Sequence, residues 1–437
     1  MHNSWLSEPF VELLTRHVGP DYIRCESKPQ NWDRVFAIDD EEVWQAHHRN
    51  KQSLITFVRK KLADDLAARG YIEPRILKLT RALNPEFLTI VYARRFARYK
   101  RATLILRDKD RLAKILTNST KPVQLIFAGK AHPADTLGKS MIKEIIDFAK
   151  DYHLEDRVVF IENYDINVAR HLAWGADVWL NNPVRENEAS GTSGMKAAMN
   201  GVLNLSVLDG WWPEGYNGRN GWAIRGAESN RQFEIQEAAE AGQIYDLIED
   251  EITELYYDRN EAGIPMRWAQ MMKESIASIC CRFNMNRMLT DYVDKLYAPS
   301  LAVAEGLSRN DYASLKQAQA DAREILASWD KIAVTGLSTS VDKYEVVTEG
   351  QRMDVTCVVD QNGVRPGLLD VELFYLLQEQ NEHRIVPMRP RDAGRASGVF
   401  ECSFEIEGRG LLSMNARVRP ASPILQDLYP DLVKWAQ

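Results

Sequence analysis

Short apolar runs alternate with helical stretches through the middle of the chain, and this alternation constrains the fold more than any other feature. Residues 136–152 and 166–174 place apolar side chains at helical spacing. Runs without polar alternation are typical of strands buried on both faces. The order of strand and helix therefore predicts a doubly wound α/β fold with a parallel sheet. The predicted strands are residues 87–92, 123–128, 158–162, 176–180 and 203–208.

Length and charge limit what the chain can do. Its 437 residues leave room for two domains, or for one large domain with an appendage. A net charge of −7 argues against a general nucleic-acid binder, which usually carries a basic balance. No apolar run approaches the roughly 18–20 residues that span a bilayer, and the first residues lack the basic region of a signal peptide. We therefore expect no nucleic acid, no membrane and a cytoplasmic location.

The cysteines are few and odd in number. Their spacing does not match a metal site, so we expect no bound metal. Reduced thiols are the simplest interpretation, and a bridge between the last two cysteines is the alternative. The five positions are Cys25, Cys280, Cys281, Cys357 and Cys402.

A loop rich in glycine and hydroxyl side chains occupies residues 188–194, directly before a helix-forming run at residues 195–199. Backbone N–H groups in such a loop, and the dipole of the helix behind it, favour a bound anion. Lys196 lies about one turn into that helix. Loop chemistry by itself leaves an ordinary turn with a solvent-facing lysine as an equal alternative.

A cluster of basic residues follows the first predicted strand, at the start of a helix predicted over residues 102–107. Ligands of parallel α/β sheets bind at these carboxyl ends of strands. Like charges crowded into a turn repel each other unless an anion neutralises them. The turn therefore predicts an anion site, with the basic start of a surface helix as the alternative. Its members are Arg94, Arg95, Arg98, Lys100 and Arg101.

Aromatic side chains gather after the fifth predicted strand. Their large rigid rings could stack on sugar faces or could fill the core, and the sequence leaves both open. The residues are Trp211, Trp212, Tyr216 and Trp222.

The loop EASGTSGMKAAMNG, followed by LDGWW, resembles the pyridoxal-phosphate segment of the α-glucan phosphorylases, which act on glycogen, starch and maltodextrin. The bacterial and archaeal branch is most similar. The resemblance implies pyridoxal 5′-phosphate as cofactor, with Lys196 forming its Schiff base. It also implies that the backbone of Gly191, Thr192 and Ser193 lies against phosphate. The residues implied to contact the transferred glucose are Glu188, Ser190 and Gly191.

The basic turn carries the same resemblance. It is similar to the family's strand-end segment, which grips cofactor phosphate through Arg94 and substrate phosphate through Arg95 and Lys100. Many relatives have lysine at the position of Arg94, and guanidinium and ammonium differ in geometry. The run IENYD resembles the segment that places a tyrosine, here Tyr164, beside the cofactor. The implied catalytic residues are therefore Arg95, Lys100 and Glu188.

The opening run SWLSEPFVELLTRHVGPDYI resembles the point where phosphorylases begin their C-terminal half. The resemblance implies a Rossmann-like domain of the GT-B type over residues 1–330, with a helical segment over residues 1–85. Beyond residue 330, short β-rich runs separated by glycine turns predict a small antiparallel β-sandwich over residues 331–437. We expect this sandwich to be structural, with carbohydrate or partner binding as the alternative. The β-rich runs are residues 353–359, 371–377, 399–406 and 411–418.

The implied reaction is phosphorolysis of α-1,4-glucan by inorganic phosphate to glucose 1-phosphate. The family's first half would supply the other wall of the cleft. We therefore expect weak activity from this chain alone, and association with a separate chain carrying the first half or with a second copy. The alternatives are a non-catalytic cofactor- or glucan-binding remnant and a nucleotide-sugar glycosyltransferase. Those transferases often carry a second glutamate after Glu188, at the position of Lys196.

Overall fold

The computed structural model describes residues 2–23, 29–71, 80–226, 233–341, 346–377, 383–392, 398–407 and 412–436. Cys25 lies outside these residues. The chain forms two compact units, Met1–Val293 and Asp294–Gln437. The domain boundary expected at residue 330 remains a prediction. Within the described ranges, no helix is both long enough and apolar enough to cross a membrane.

A parallel sheet organises the first unit. Its six strands lie in the order β3-β2-β1-β4-β5-β6, and every neighbouring pair is parallel. The predicted α/β architecture is thereby confirmed. Strand β6 was not among the predicted strands. The strands are β1 Leu88–Ala93, β2 Val123–Ala128, β3 Val158–Ile161, β4 Val178–Asn181, β5 Leu203–Val207 and β6 Gly221–Ile224.

The sheet is covered on both faces, because alternate side chains of β1 enter two different cores. Ile90 and Tyr92 pack in one core with residues of the helices Phe233–Asp246 and Met266–Arg282. Val91 lies in the other core with residues of the helices Asp40–Ala68 and Ile166–Gly175. Burial on both sides explains why the strand sequences read as continuous apolar runs.

The remaining helical segments fill the loops between strands and the stretches before and after the sheet. The α-helices are His2–Trp5, Glu8–His17, Pro29–Trp32, Lys109–Leu116, Thr136–Asp151, Ser193–Ala198, Trp212–Gly215, Thr253–Tyr257, Met285–Tyr292, Ala298–Ser328 and Pro423–Leu428. The 3-10 turns are Pro20–Ile23, Asp33–Ala37, Arg98–Lys100, Leu104–Leu106 and Trp329–Lys331, and the π-helical turns are Leu247–Ile252 and Val293–Tyr297.

Aspartate side chains begin four of these helices. Asp39, Asp108, Asp135 and Asp165 each accept a hydrogen bond from a main-chain N–H in the first turn, which satisfies a donor that would otherwise lack a partner. The helix predicted over residues 102–107 is wrong. Arg101 adopts a left-handed φ of 50°, so the chain turns there and the helix begins only after the Asp108 cap.

A buried polar cluster joins the long helix Asp40–Ala68 to the sheet. Lys51 Nζ lies 2.5 Å from Asp177 Oδ2 and donates to the Tyr256 hydroxyl at 2.6 Å. His47 Nε2 is 2.8 Å from Asp177 Oδ1, and the Thr89 N–H donates to Oδ2 at 2.7 Å. Burial alone would raise the pKa of the Asp177 carboxyl, but Lys51 and His47 hold it below its usual value. The cluster fixes the amino ends of β1 and β4 to one helix.

The second unit contains an antiparallel sheet of seven strands in the order β13-β12-β9-β10-β11-β8-β7, as the glycine-punctuated β runs predicted. Residues 360–363, DQNG, are typical of a hairpin turn. They do not form one, because the strand before them, β8, pairs with β7 and β11 and not with the next strand, β9. Cys357 and Cys402 are free thiols. The predicted start at Leu411 lies outside the described residues. The strands are β7 Ala333–Thr339, β8 Arg352–Asp360, β9 Leu369–Leu377, β10 His383–Pro390, β11 Val399–Glu405, β12 Leu412–Pro420 and β13 Lys434–Trp435.

Lys51→Met should lower the free energy of unfolding by about 3–5 kcal/mol, because it leaves the Asp177 charge buried without its cation. Lys60→Met on the same helix is the matched control, since the Lys60–Asp64 pair is exposed and should contribute only about 0.3–0.5 kcal/mol. Urea unfolding followed by tryptophan fluorescence measures both. Equal losses in the two variants would contradict a special role for the buried cluster.

Candidate functional site

The carboxyl ends of β1 and β4 define the place where a ligand can enter. These strands are neighbours in the sheet, but the chain leaves β1 towards β2 on one side and leaves β4 towards β5 on the other. The loops behind them therefore diverge and open a crevice at this switch point. The Val184 N–H donates to the Tyr99 carbonyl at 2.7 Å and ties the two loops together. Most of the predicted site residues lie on these loops.

Glu188 connects the two predicted charged features. Arg94 Nη2 lies 2.5 Å from Glu188 Oε2, and Lys100 Nζ lies 2.9 Å from the same oxygen. Both cations are buried. Burial alone would raise the pKa of the Glu188 carboxyl, but Lys100 and Arg94 together hold it below its usual value. The two cations thus share one carboxylate, which balances only one of their two positive charges.

One donor of this arrangement is left over. Arg94 Nη1 is buried and has no hydrogen-bond partner in the described part of the chain. A buried donor without an acceptor costs about 1–3 kcal/mol, so such atoms are rare unless a ligand or water satisfies them. Arg94 therefore indicates a bound acceptor that the described residues do not provide.

The glycine-rich loop is shaped by close packing against the end of β5. The Glu188 N–H donates to Asp209 Oδ2 at 3.0 Å, and the Ser190 carbonyl accepts from the Trp211 N–H at 2.9 Å. Gly191 has a φ of +83°, which side chains rarely allow. A Cβ on Gly210 would lie only 2.3 Å from the Ser190 carbonyl oxygen. These contacts fix the position of the loop relative to the end of β5.

Main-chain donors remain open in this loop. Across the described ranges, the N–H groups of Gly191, Thr192 and Ser193 have no hydrogen-bond acceptor. The Thr192 carbonyl accepts from the Lys196 N–H at 3.2 Å, which starts the short helix Ser193–Ala198. Consecutive free N–H groups of this kind favour an anion.

Lys196 projects from that helix onto the ring of Trp5. Its Nζ lies 4.0 Å from the ring centroid, a cation–π distance. Burial lowers the pKa of the Lys196 amine below the ordinary lysine value, and no carboxylate opposes this effect. Elsewhere in the described chain, the amine finds no hydrogen bond or ion pair. A lysine that is partly dehydrated and has no counter-ion carries a larger share of neutral, nucleophilic amine.

The five basic residues of the turn after β1 differ in burial and in hydrogen-bond partners. Arg95 and Arg98 are exposed and have no partner among the described residues. Arg101 is buried and pairs with Glu240, and its Nε donates to the Asn182 carbonyl at 3.0 Å. Arg101 is therefore structural, because every contact it makes holds the turn in place.

Tyr164 lies after β3, and two strands, β2 and β1, separate β3 from β4 in the sheet. It is half-buried, and its ring packs with Trp5 against the same core as Ala197. Burial raises the pKa of its hydroxyl, so the group stays protonated at neutral pH. It remains a predicted neighbour of the cofactor.

The tryptophans after β5 fill the core. Trp211, Trp212 and Trp222 are all buried, and Trp212 Nε1 donates to the Trp222 carbonyl at 3.1 Å. Of the two interpretations that the sequence left open, the structure supports core packing and leaves no face of these rings for stacking on a sugar.

Trp5 and Asp209 belong to the site, although the sequence patterns did not single them out. Trp5 stands in an opening helix of only four residues and supports Lys196, which is distant along the chain. Asp209 lies two residues after the end of β5 and fixes Glu188. The strand-end position of Asp209 was the available signal, whereas Trp5 offered none because its contact depends on how the first helix packs.

The fold and the site define a class: a parallel α/β domain whose switch-point crevice is lined by buried cations, with a partly dehydrated lysine on the loop beside it. Comparison with known families agrees with this class. Residues 6–215 match the family "Carbohydrate phosphorylase", and residues 329–437 match "Glycogen phosphorylase C-terminal domain". The chain belongs to the carbohydrate phosphorylases.

Curated relatives agree with these matches. A maltodextrin phosphorylase of Thermococcus litoralis is 40% identical over 85% of this chain and 42% of its own length. A glycogen phosphorylase of Aquifex aeolicus is 44% identical over 68% of this chain and 43% of its own length. A glycogen phosphorylase of Mycobacterium tuberculosis is 33% identical over 97% of this chain and 49% of its own length. The chain spans about half the length of the relatives it matches.

Glu188→Gln should strengthen binding of inorganic phosphate by about tenfold or more. It removes the internal anion from Arg94 and Lys100, and hydrogen bonds to charged groups contribute about 1.5–3 kcal/mol. The rise in melting temperature with added phosphate, against the same ionic strength of chloride, measures the effect.

Glu186→Gln is the matched control for this measurement. Glu186 is an exposed acid of the same loop without a partner in the described part of the chain, so it should behave as the parent. If phosphate stabilises the parent and both variants equally, Glu188 does not compete with phosphate for these cations.

Proposed function

We propose that this chain is the C-terminal half of an α-glucan phosphorylase. Its reaction is the phosphorolysis of α-1,4-glucan to glucose 1-phosphate. The observation that carries the proposal is the convergence of Arg94 and Lys100, on the loop after β1, with Glu188, on the loop that leads to Lys196. Family membership and the names of the relatives support the substrate class. Under this proposal residues 1–330 form a GT-B domain and residues 331–437 an accessory β-sandwich.

The residues present fit pyridoxal 5′-phosphate. An aldehyde-bearing cofactor needs a lysine with a large neutral fraction, and burial lowers the pKa of Lys196. A phosphate group needs donors, which Arg94 Nη1 and the free N–H groups of Gly191, Thr192 and Ser193 offer. When bound, the cofactor would supply a phosphate able to exchange a proton with the substrate phosphate.

The other side chains would hold the substrates. Arg95 is exposed at the crevice turn and Lys100 is next to Glu188, so both suit the inorganic phosphate. Glu188, with the main chain of Ser190 and Gly191, would position the transferred glucose. In the reaction the bond from C1 to the glucan oxygen breaks, a bond from C1 to a phosphate oxygen forms, and the phosphate proton moves to the departing oxygen.

The alternative of a nucleotide-sugar glycosyltransferase needs a carboxylate for a ribose hydroxyl at position 196. Lys196 has no acceptor oxygen, and its amine lies over an aromatic ring. The geometry therefore favours the phosphorylase.

Lys196 should carry the cofactor covalently. Borohydride reduction of cofactor-loaded protein followed by peptide mass mapping should place a pyridoxyl group on Lys196. Burial lowers the pKa of this amine without an opposing carboxylate, whereas the buried Lys51 is held by Asp177. Lys196→Arg should lose the label while keeping the positive charge. Lys130→Arg, at an exposed lysine after β2, should keep it. Labelling at another residue, or none, would rule out this role for Lys196.

The proposal includes a missing wall of the cleft. The chain spans about half the length of its relatives. In the second unit, Leu296, Tyr297, Leu301 and Val303 are each more than half exposed on one helical stretch. Exposed apolar side chains at this density mark an association surface. We propose that a separate chain equivalent to the first half, or a second copy, covers it. A non-catalytic remnant is the alternative.

This chain alone should bind cofactor but release little glucose 1-phosphate from maltodextrin and phosphate. With one wall of the cleft the sugar stays hydrated and poorly oriented, which removes most of the advantage of holding the reactants together. Purified cofactor-loaded protein, assayed with and without a separately expressed first half, provides the test. Restored activity on mixing would support a split enzyme. Turnover of about 1–1000 per second from this chain alone would contradict the prediction.

A further inference from the structure

The antiparallel sheet of the second unit has one buried face and one open face. Residues 371, 373, 416 and 418 belong to the hydrophobic core. Because side chains alternate along strands, the residues between them share the opposite face. The register places Arg417 beside both Glu372 and Trp435, Asn415 beside Phe374, and Ser413 beside Leu376. Ile385 and His383 extend these rows on β10.

An aromatic pair on the open face is held rigidly. The rings of Phe374 and Trp435 are 4.9 Å apart at an interplanar angle of 68°. The Arg417 guanidinium lies 4.2 Å from the Phe374 ring. Arg417 and Arg419 donate to the two oxygens of Glu372, at 2.7 and 2.8 Å. The ion pairs therefore fix the arginine that supports the rings, and little side-chain freedom is left to lose on binding.

The face contains a groove of about 580 Å³, within the size range of small-molecule sites. Trp435 is 44% exposed and forms part of its wall. The remaining wall combines apolar and hydrogen-bonding side chains. They are Phe374, Leu376, His383, Ser413 and Asn415.

Within the described ranges, three polar side chains of the groove keep hydrogen-bonding groups open. Asn415 Oδ1 accepts from the Ala416 N–H at 2.8 Å, which orients the amide and leaves its NH₂ group open. The Ser413 hydroxyl and the His383 ring have no partner within the described ranges. Arg417 is paired with Glu372, which it shares with Arg419. The groove thus offers ring faces with hydrogen-bond donors and acceptors beside them.

We propose that this groove is a second, non-catalytic binding site for an α-1,4-glucan chain. A pyranose ring presents an apolar face of C–H groups and a rim of hydroxyls, which match an exposed indole and neighbouring amide, hydroxyl and imidazole groups. A protein partner would instead need a contact of about 800 Å² per side with a wide apolar centre. Glucan is chosen over other sugars because the inference rests on the proposed function for its ligand class.

The test measures binding of maltoheptaose to the full chain by isothermal titration calorimetry, without cofactor or phosphate. Trp435→Ala should weaken binding about tenfold, the loss expected from removing one exposed stacking ring. Trp435→Phe should recover part of it, and Asn415→Ala should weaken binding while leaving both rings in place. Cellohexaose, a β-linked glucan, should bind more weakly than maltoheptaose because its chain is straight.

Tyr429→Ala is the matched control, since it removes another exposed aromatic ring of the same unit away from the groove. It should bind maltoheptaose as the parent does. Because the titration contains neither cofactor nor phosphate, failure of the proposed reaction would leave glucan binding at the groove intact. Two results would overturn the inference. One is equal affinity in the parent, Trp435→Ala and Asn415→Ala. The other is a change of oligomeric state by light scattering in Trp435→Ala without any change in glucan affinity, which would make the face a protein contact.

Discussion

The buried pair of Lys51 and Asp177 is the interaction on which the sheet domain depends. A charge removed from water is costly unless a partner and further hydrogen bonds compensate it, and here both conditions are met. Asp177 accepts from Lys51, His47 and the Thr89 main chain. Three segments distant along the chain therefore meet at one carboxylate. Apolar packing could hold these segments together, but only the directional bonds select which residue of the helix faces which strand.

The crevice at the other end of the sheet also pairs buried charges, but its anion lies on a loop. Arg94 and Lys100 are buried cations whose anion, Glu188, lies on a loop and not on a strand. A loop anion can give way to a ligand anion more readily than one anchored in the core. The site is thus assembled before a ligand arrives, and among the described residues one of its donors, Arg94 Nη1, has no acceptor. Pre-assembly lowers the reorganisation needed when charge enters the crevice.

Much of the fold could be predicted because its main strands are apolar runs with clear limits. The site could be predicted in part, since a parallel sheet places the ends of β1 and β4 together whatever the details of the loops. Without the resemblance, the spacing of the basic turn could not assign different roles to Arg101 and Arg94. Both are arginines in one basic turn, and only the distant Glu240 makes Arg101 structural. Trp5 was missed for a similar reason, because its contact with Lys196 arises from the packing of the first helix.

The carboxylates Asp177 and Glu188 stand at opposite ends of β4, one before its first residue and one in the loop that follows its last. A single short strand therefore connects the part of the domain that resists unfolding with the part that meets a ligand. Substitutions near Asp177 can change the stability of the fold while the residues around Glu188 keep their arrangement. During evolution, the residues of the crevice could therefore change to accept new ligands without unfolding the domain.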